Sequence, residues 1–421
     1  MAFYSSGQVK TLYLDPKSFV DGSRAVFELE GHHLAYLPNM RLLNIGVFGT
    51  ATPYNDLIGA NAIIERVTLY DGKTKLTERN KYGLYRGFVL HNQRNSPAMS
   101  IASQKNLNRL GFQRLNSDGA LQFTLPNINS TTARDTTNNA MVELRQVLPM
   151  LNAVSHLPTD LFPNLRLEVV FNTSASSGVY NNDTNAINGQ SIPLLAVDVL
   201  DDKNVVSKMN KGLSKGIQWL EVEHDQVLYP ATATGGGAGD QGVEESKNFK
   251  LDGFKNKKVE RLLLIKEMAD NTKYIDTNAV QGFGKYSSIA FFNQKHQYRL
   301  NGKNVLPDEG IIGDAERLAY MVDTYGDSFA FPGSNYNEVD ITGLVETAEG
   351  EDGDRYRGQL DYTGVYLGEE VKDLQVTINR TGLQDGRDFK AETSAINLHY
   401  FGEVQRGLVL NKKGGYMLAY L

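Results

Sequence analysis

Cysteine is absent from this sequence of 421 residues. Without it there is no disulfide, no thiolate nucleophile and no cysteine-ligated metal, which excludes a disulfide-stapled secreted fold. Long apolar runs are missing as well. No uninterrupted stretch approaches the ~20 residues of a membrane-spanning helix, and Met1–Lys10 carries no apolar core of a secretory signal. The sequence therefore predicts a soluble subunit. Tryptophan occurs once, at Trp219. Sugar-handling sandwiches rely on exposed aromatic platforms, so a lone Trp lowers that reading and fits packing at an internal junction better. Excess positive charge is lacking too: the formal net charge is −6, which restricts any nucleic-acid contact to local patches.

What is present is ordinary globular material, 41% hydrophobic and 22% charged, enough for full cores in about two domains. Forty glycines, twelve prolines and twenty-one tyrosines lie among many short apolar runs, the mixture expected of strands joined by turns and long loops. The chain also repeats itself weakly. Phe27-Glu28-Leu29-Glu30-Gly31 precedes Arg41-Leu42-Leu43, and Phe249-Lys250-Leu251-Asp252-Gly253 precedes Arg261-Leu262-Leu263. Val67–Lys73, with Asp71-Gly72, lines up with Gln297–Lys303, with Asn301-Gly302; both dipeptides suit a type I′ hairpin turn. Leu167–Asn172 lines up with Leu374–Asn379, and Ile192–Leu200 with Ile396–Val404. The landmarks keep their order while their spacing drifts, as two copies of one fold would after their loops changed length.

In the first half strands are predicted near Lys10–Leu14, Arg24–Leu29, Met40–Phe48, Ala62–Tyr70, Gly111–Leu115, Ala120–Leu125, Leu165–Phe171 and Pro193–Leu200. A helix is predicted over Asn139–Leu151, capped by Asn138 or Asn139, with shorter ones near Lys81–Leu90 and Asp314–Val322. About eight strands per half without regular strand–helix alternation predict an all-β chain of two tandem eight-stranded jelly-roll β-sandwiches. Their expected extents are 1–220 and 221–421, with the junction near Leu220. Ala231–Glu245 and the acidic Glu346–Arg355 read as loops.

Candidate chemistry fails on context. Gly237-Ala238-Gly239-Asp240-Gln241-Gly242 spells a dinucleotide fingerprint, but Pro230 and a Thr/Ala run stand where the preceding strand belongs. Gly72-Lys73-Thr74 resembles the tail of a phosphate-binding loop, yet Val67 holds the position of its first glycine. Gly212-Leu213-Ser214-Lys215-Gly216 spells a nucleophile elbow, but the polar run Ser207–Lys211 precedes it where a buried strand is required, so the stretch reads as a polar, basic linker between domains. Glu223-His224-Asp225 has residue types for acid–base work and no nucleophile to serve, so it reads as a solvated strand edge. The seven histidines (His32, His33, His91, His156, His224, His296, His399) show no metal spacing. Glu349, Glu351, Asp352 and Asp354 do not follow a calcium-loop pattern. Asn129, Asn172, Asn182 and Asn379 head sequons without a secretory signal. No catalytic, cofactor-binding or metal-ligating residue is assigned, and no cofactor is expected.

The paired Phe-x-Leu-x-Gly and Arg-Leu-Leu segments and the paired hairpins resemble those of the double jelly-roll major capsid proteins of adenoviruses, tailless membrane-containing phages, virophages and polinton-like viruses. Leu157-Pro158-Thr159-Asp160-Leu161-Phe162-Pro163-Asn164, entering a strand, is similar to the small virophage and polinton-like members. Adenovirus-type tower insertions are absent. The resemblance implies a structural virion protein and not an enzyme, a pseudo-hexameric homotrimer that tiles an icosahedral shell. Its partners would be neighbouring capsomers, penton and minor capsid proteins, with an internal membrane or the genome against the inner face and no small-molecule ligand. Two other readings remain open here. A carbohydrate-active or carbohydrate-binding two-sandwich protein would need, as an enzyme, two carboxylates about 5–10 Å apart in a Tyr-lined cleft. A trimeric receptor-binding spike would not tile.

Overall fold

The alternation in Leu165–Phe171 is realised residue for residue: Leu165, Leu167, Val169 and Phe171 turn inward, and the three between them are half-exposed. Such period-two segments build almost everything in the computed structural model. It describes residues 9–20, 23–29, 31–45, 64–86, 113–115, 121–123, 141–171, 192–213, 216–230, 245–268, 294–306, 310–312, 319–320, 323–325, 362–380, 395–410 and 415–421.

The first half contributes β1 (Val9–Leu14), β2 (Ser18–Val20), β3 (Arg24–Glu28), β4 (Ala35–Tyr36), β5 (Arg41–Leu43), β6 (Ile64–Asp71), β7 (Thr74–Asn80), β8 (Gln113–Leu115), β9 (Leu121–Phe123), β10 (Val142–Glu143), β11 (Leu157–Pro158), β12 (Leu165–Phe171) and β13 (Leu194–Leu200). One sheet runs β1, β13, then β4 and β5, then β11 and β10; the facing sheet runs β2-β3-β12-β6-β7. Lettered B to I in chain order, with D and G each broken in two, these are the B-I-D-G and C-H-E-F sheets of a jelly roll.

The second half repeats the order. Its strands are β14 (Ile217–Tyr229), β15 (Glu245–Lys250), β16 (Lys258–Met268), β17 (Gln294–Leu300), β18 (Lys303–Asn304), β19 (Ile311–Ile312), β20 (Tyr362–Glu370), β21 (Leu374–Arg380), β22 (Ile396–Leu410) and β23 (Tyr416–Tyr420). One sheet is β14-β22-β16-β20, again B-I-D-G, with β23 added to the end of β22; the other is β15-β21-β17-β18, again C-H-E-F. Every segment pair read from the sequence falls on equivalent strands.

The alignment of the pairs needs one correction. Phe27 stands opposite Leu167, and Phe249 opposite Val376. Matching the two phenylalanines therefore makes Leu167 equivalent to Val376, two residues from the sequence match with Leu374. A slip of two keeps every side chain on its own face, so periodicity is blind to it.

The hairpin turns differ as well. Asn301 and Gly302 both have positive φ (51° and 84°), the type I′ pattern. In the first copy Asp71 is still paired, with Thr74, and Gly72 (φ 56°) takes the first loop position, as in type II′.

Strand membership is a second correction. The expected strands near Gly111–Leu115 and Ala120–Leu125 exist, but they form a separate two-stranded hairpin, β8 with β9. The sandwich instead uses β7 and the short β10 and β11. The expected helix over Asn139–Leu151 is also replaced. Val142 and Glu143 pair with Leu42 and Arg41, and two short turns follow, Leu144–Val147 and Pro149–Ala153. Pro149 opens the second turn because its ring cannot continue the first; Asn138 and Asn139 lie outside the described residues. Residues 82–86, 319–320 and 323–325 are helical, in line with the two shorter helices.

Tight packing in the second sandwich gives a direct test. A Cβ placed on Gly402 of β22 would sit 2.5 Å from the ring of fully buried Phe254. Gly402→Ala is expected to cost about 1–3 kcal/mol by overpacking, read by chemical denaturation, and Phe254→Leu in the same chain should return part of that loss.

Candidate functional site

The longest strands belong to the second sandwich, and their extra length reaches the first. β14 pairs with β22 along all of Ile217–Tyr229, so the boundary expected at Leu220 lies inside a strand. Cross-strand partners share a face. One face of this ribbon carries Ile217, Trp219, Leu408, Leu410, Tyr416 and Leu418, all packed into the core of the first sandwich. Farther along the same face, Val227, Tyr229, Leu398, Tyr400 and Val404 belong to the core of the second.

Between the two apolar stretches lies a polar band. Glu221 is buried (2% exposed) and accepts from Thr77 Oγ1 of β7 at 3.0 Å and Trp219 Nε1 at 2.9 Å. Arg406 approaches it at 3.6 Å and donates to the Lys75 carbonyl at 3.0 Å. Burial pushes the Glu221 carboxyl up, against the hydrogen bonds from Trp219 and Thr77 and the charges of Arg79 and Arg406. Tyr420 donates to Glu223 at 2.7 Å, and Tyr416 to Asp71 at 2.9 Å. Burial, reinforced by the neighbouring carboxylates, holds both phenols protonated and therefore as donors.

The opposite face of the ribbon is partly covered from the first sandwich. Tyr85, in the helical residues 82–86, sets its ring 5.3 Å from Phe401, and Arg79 lies over Tyr85 at 4.5 Å. The two sandwiches thus clasp each other on both faces of one ribbon.

The side chains singled out in the sequence are distributed as follows. Trp219 is buried in the seam, as its isolation suggested. Glu223, His224 and Asp225 lie on β14, which among the described residues pairs on one side only. Adjacent strand residues face opposite ways: Glu223 meets Tyr420 and Lys257, His224 stacks on His399, and Asp225 accepts from the Gly253 N–H at 2.9 Å. They do not converge. His33 sits in a turn 2.9 Å from Asp201. His156 is buried and bonded to Asn210, and burial pushes its pKa down.

The sequence Gly212–Gly216 has its surroundings in reverse order for a nucleophile elbow. The helix Lys203–Leu213 enters it, and β14 leaves it. Ser214 itself, the Gly237–Gly242 run, His91 and the Glu349–Asp354 loop lie outside the described residues. Among the described residues no group of three or more His, Asp or Glu is placed to hold a metal. Sequence reasoning missed the Lys203–Leu213 helix, read as a polar linker. Its signal was Val206, Met209 and Leu213, which it buries, with Val206 and Met209 packing beside Ala35, Leu37 and Leu200.

No family model matches the chain, and no curated protein does. Solved structures do match along nearly the whole length. The Sputnik virophage structure from cryo-EM is 12% identical, covers 98% of this chain and 88% of its own, and has a TM-score of 0.55. The Faustovirus major capsid protein is 8% identical, with 96% and 90% covered and a TM-score of 0.53. PBCV-1 VP54, fitted into a reconstruction of Sputnik, is 10% identical, with 98% and 96% covered and a TM-score of 0.52. At such identities the likeness is one of fold. The two B-I-D-G and C-H-E-F sandwiches, in tandem and matched end to end, give this chain the double jelly-roll fold of the viral major capsid proteins.

Proposed function

We propose that the chain is a structural major capsid protein, forming pseudo-hexameric homotrimers that tile an icosahedral viral shell, and that it works in the virion without enzymatic activity. The observation that carries the reading is the repetition of one strand order in two sandwiches clasped into a single block. Two like sandwiches per chain make six per trimer, and a six-sided block made from three chains packs on a hexagonal lattice. The two units would meet between Leu200 and Ile217, where the Lys203–Leu213 helix connects them. Neighbouring capsomers, penton and minor capsid proteins are the expected partners, with an internal membrane or the genome on the inner side.

Electron microscopy of the purified protein tests this. Pseudo-hexagonal trimers, or shells built from them, are expected. A stable monomer that hydrolyses glycans would refute the reading, and a trimer that never tiles would favour a spike.

A further inference from the structure

The outer face of the inter-sandwich ribbon is mainly apolar, with Gln218 and Gln405 the polar side chains on it, where nothing among the described residues covers it. Cross-strand register puts Leu220, Val409, Met417 and Leu421 on this face, and they are 38%, 48%, 60% and 42% exposed. The Leu421 side chain lies over Gly407, which extends the same surface. Directly behind it, Trp219, Leu408, Tyr416 and Leu418 fill the core of the first sandwich. Leu408-Val409-Leu410 and Tyr416–Leu421 are thus apolar on both faces. A strand with one solvated face alternates apolar with polar residues, whereas one covered on both faces does not.

Further along the same outer face the ribbon is covered. Val222, His399, Phe401 and Glu403 are buried there, with Phe401 against Tyr85 of the first sandwich. The exposed patch therefore continues an interface that this chain already makes between one jelly roll and another. Among the described residues β23 pairs on one side only, and the patch reaches its other edge.

We propose that the outer face of β14, β22 and β23 around Leu220, Val409, Met417 and Leu421 docks onto a second copy of this chain. The inference rests on the capsid reading above and supplies the surface through which the trimer closes. The contact is heterologous, patch to a different surface on the next copy, as a three-fold ring requires. Scattered exposed apolar residues are ordinary; four large ones gathered at one end of a single sheet face, with only Gln405 and Gln218 among them, mark an association site.

The test uses the full chain. Met417→Glu and Leu220→Glu place charge at exposed positions, where the fold has less packing to lose than in the core, least at Met417. Loss of trimer mass in light scattering is expected for both, with unchanged circular dichroism. Met417→Leu should stay trimeric, and so should Leu228→Glu, which is 54% exposed at the far end of β14. Should either glutamate variant fold poorly, peroxide footprinting of the wild type gives an independent answer. Met417 should oxidise more slowly in the trimer than in protein diluted to monomer. Glutamate variants that remain trimeric, or a Met417 equally reactive in both states, would overturn the patch and leave the capsid reading standing. A wild type that is monomeric at every concentration would overturn both.

Discussion

Glu221→Leu is expected to destabilise the protein by about 3–5 kcal/mol, because it leaves a buried guanidinium and two buried donors without their acceptor. Trp219 Nε1, Thr77 Oγ1 and Arg406 all converge on this one carboxyl in a water-poor seam. Glu221→Gln should cost far less, about 1 kcal/mol, since it keeps an acceptor and burial already disfavours the charge. The pH dependence follows from the same shift. The folded carboxyl titrates above its unfolded value, so its contribution to stability is fully present below the unfolded value and declines as pH rises through the folded one. That slope should vanish in Glu221→Gln. Adding Arg406→Met to Glu221→Leu should recover part of the loss, with a coupling of about 0.5–3 kcal/mol. Urea denaturation of the wild type, Glu221→Leu, Glu221→Gln, Arg406→Met and the double variant across pH 4–8 checks all of this. If Glu221→Gln lost as much as Glu221→Leu, the charge would be the stabilising element and this account would be wrong.

No property of the sequence marks Glu221 apart from Glu223. The two share a strand face, and only the approach of β7 from the other sandwich buries one more completely than the other. The fold was far more legible. Strands B, C, E, H and I of the first sandwich were expected within two residues or so, because their alternation reports a half-buried sheet directly. The pairs Phe27/Phe249 and Arg41/Arg261 placed two copies correctly, since both mark strand positions next to turns. Two things stayed hidden for physical reasons. β10 and β11 are too short to show a period, so neighbouring apolar residues read as a helix. The Lys203–Leu213 helix carries a polar face rich enough to pass for a linker, although Val206, Met209 and Leu213 follow a helical stripe. The seam itself was foreshadowed by one residue, Trp219.

Removing residues 411–421 should weaken the first sandwich more than the second, although the deletion lies at the opposite end of the chain. β23 lies along Arg406–Leu410 and turns Tyr416 and Leu418 onto the core of the first sandwich. The Tyr416 ring lies 5.1 Å from Phe162, and its hydroxyl reaches Asp71 at the β6–β7 turn. Losing two large apolar contacts and a charge-assisted hydrogen bond costs on the order of 3–5 kcal/mol. Against a typical domain stability of about 5–15 kcal/mol, that is a large part of the margin. Hydrogen exchange should show protection falling in β6 and β12 and largely retained in β17 and β21. Tyr416→Phe isolates the hydroxyl and should cost only about 1–2 kcal/mol. Loss of protection confined to β22 would mean that β23 serves only its own sheet. A loss that spreads to the first sandwich would mean that a strand of the second completes the first one's core, and an equal loss in β17 and β21 would mean that the two jelly rolls are one cooperative unit. Either outcome measures how far β23 ties the two halves into one block without a free hinge between them.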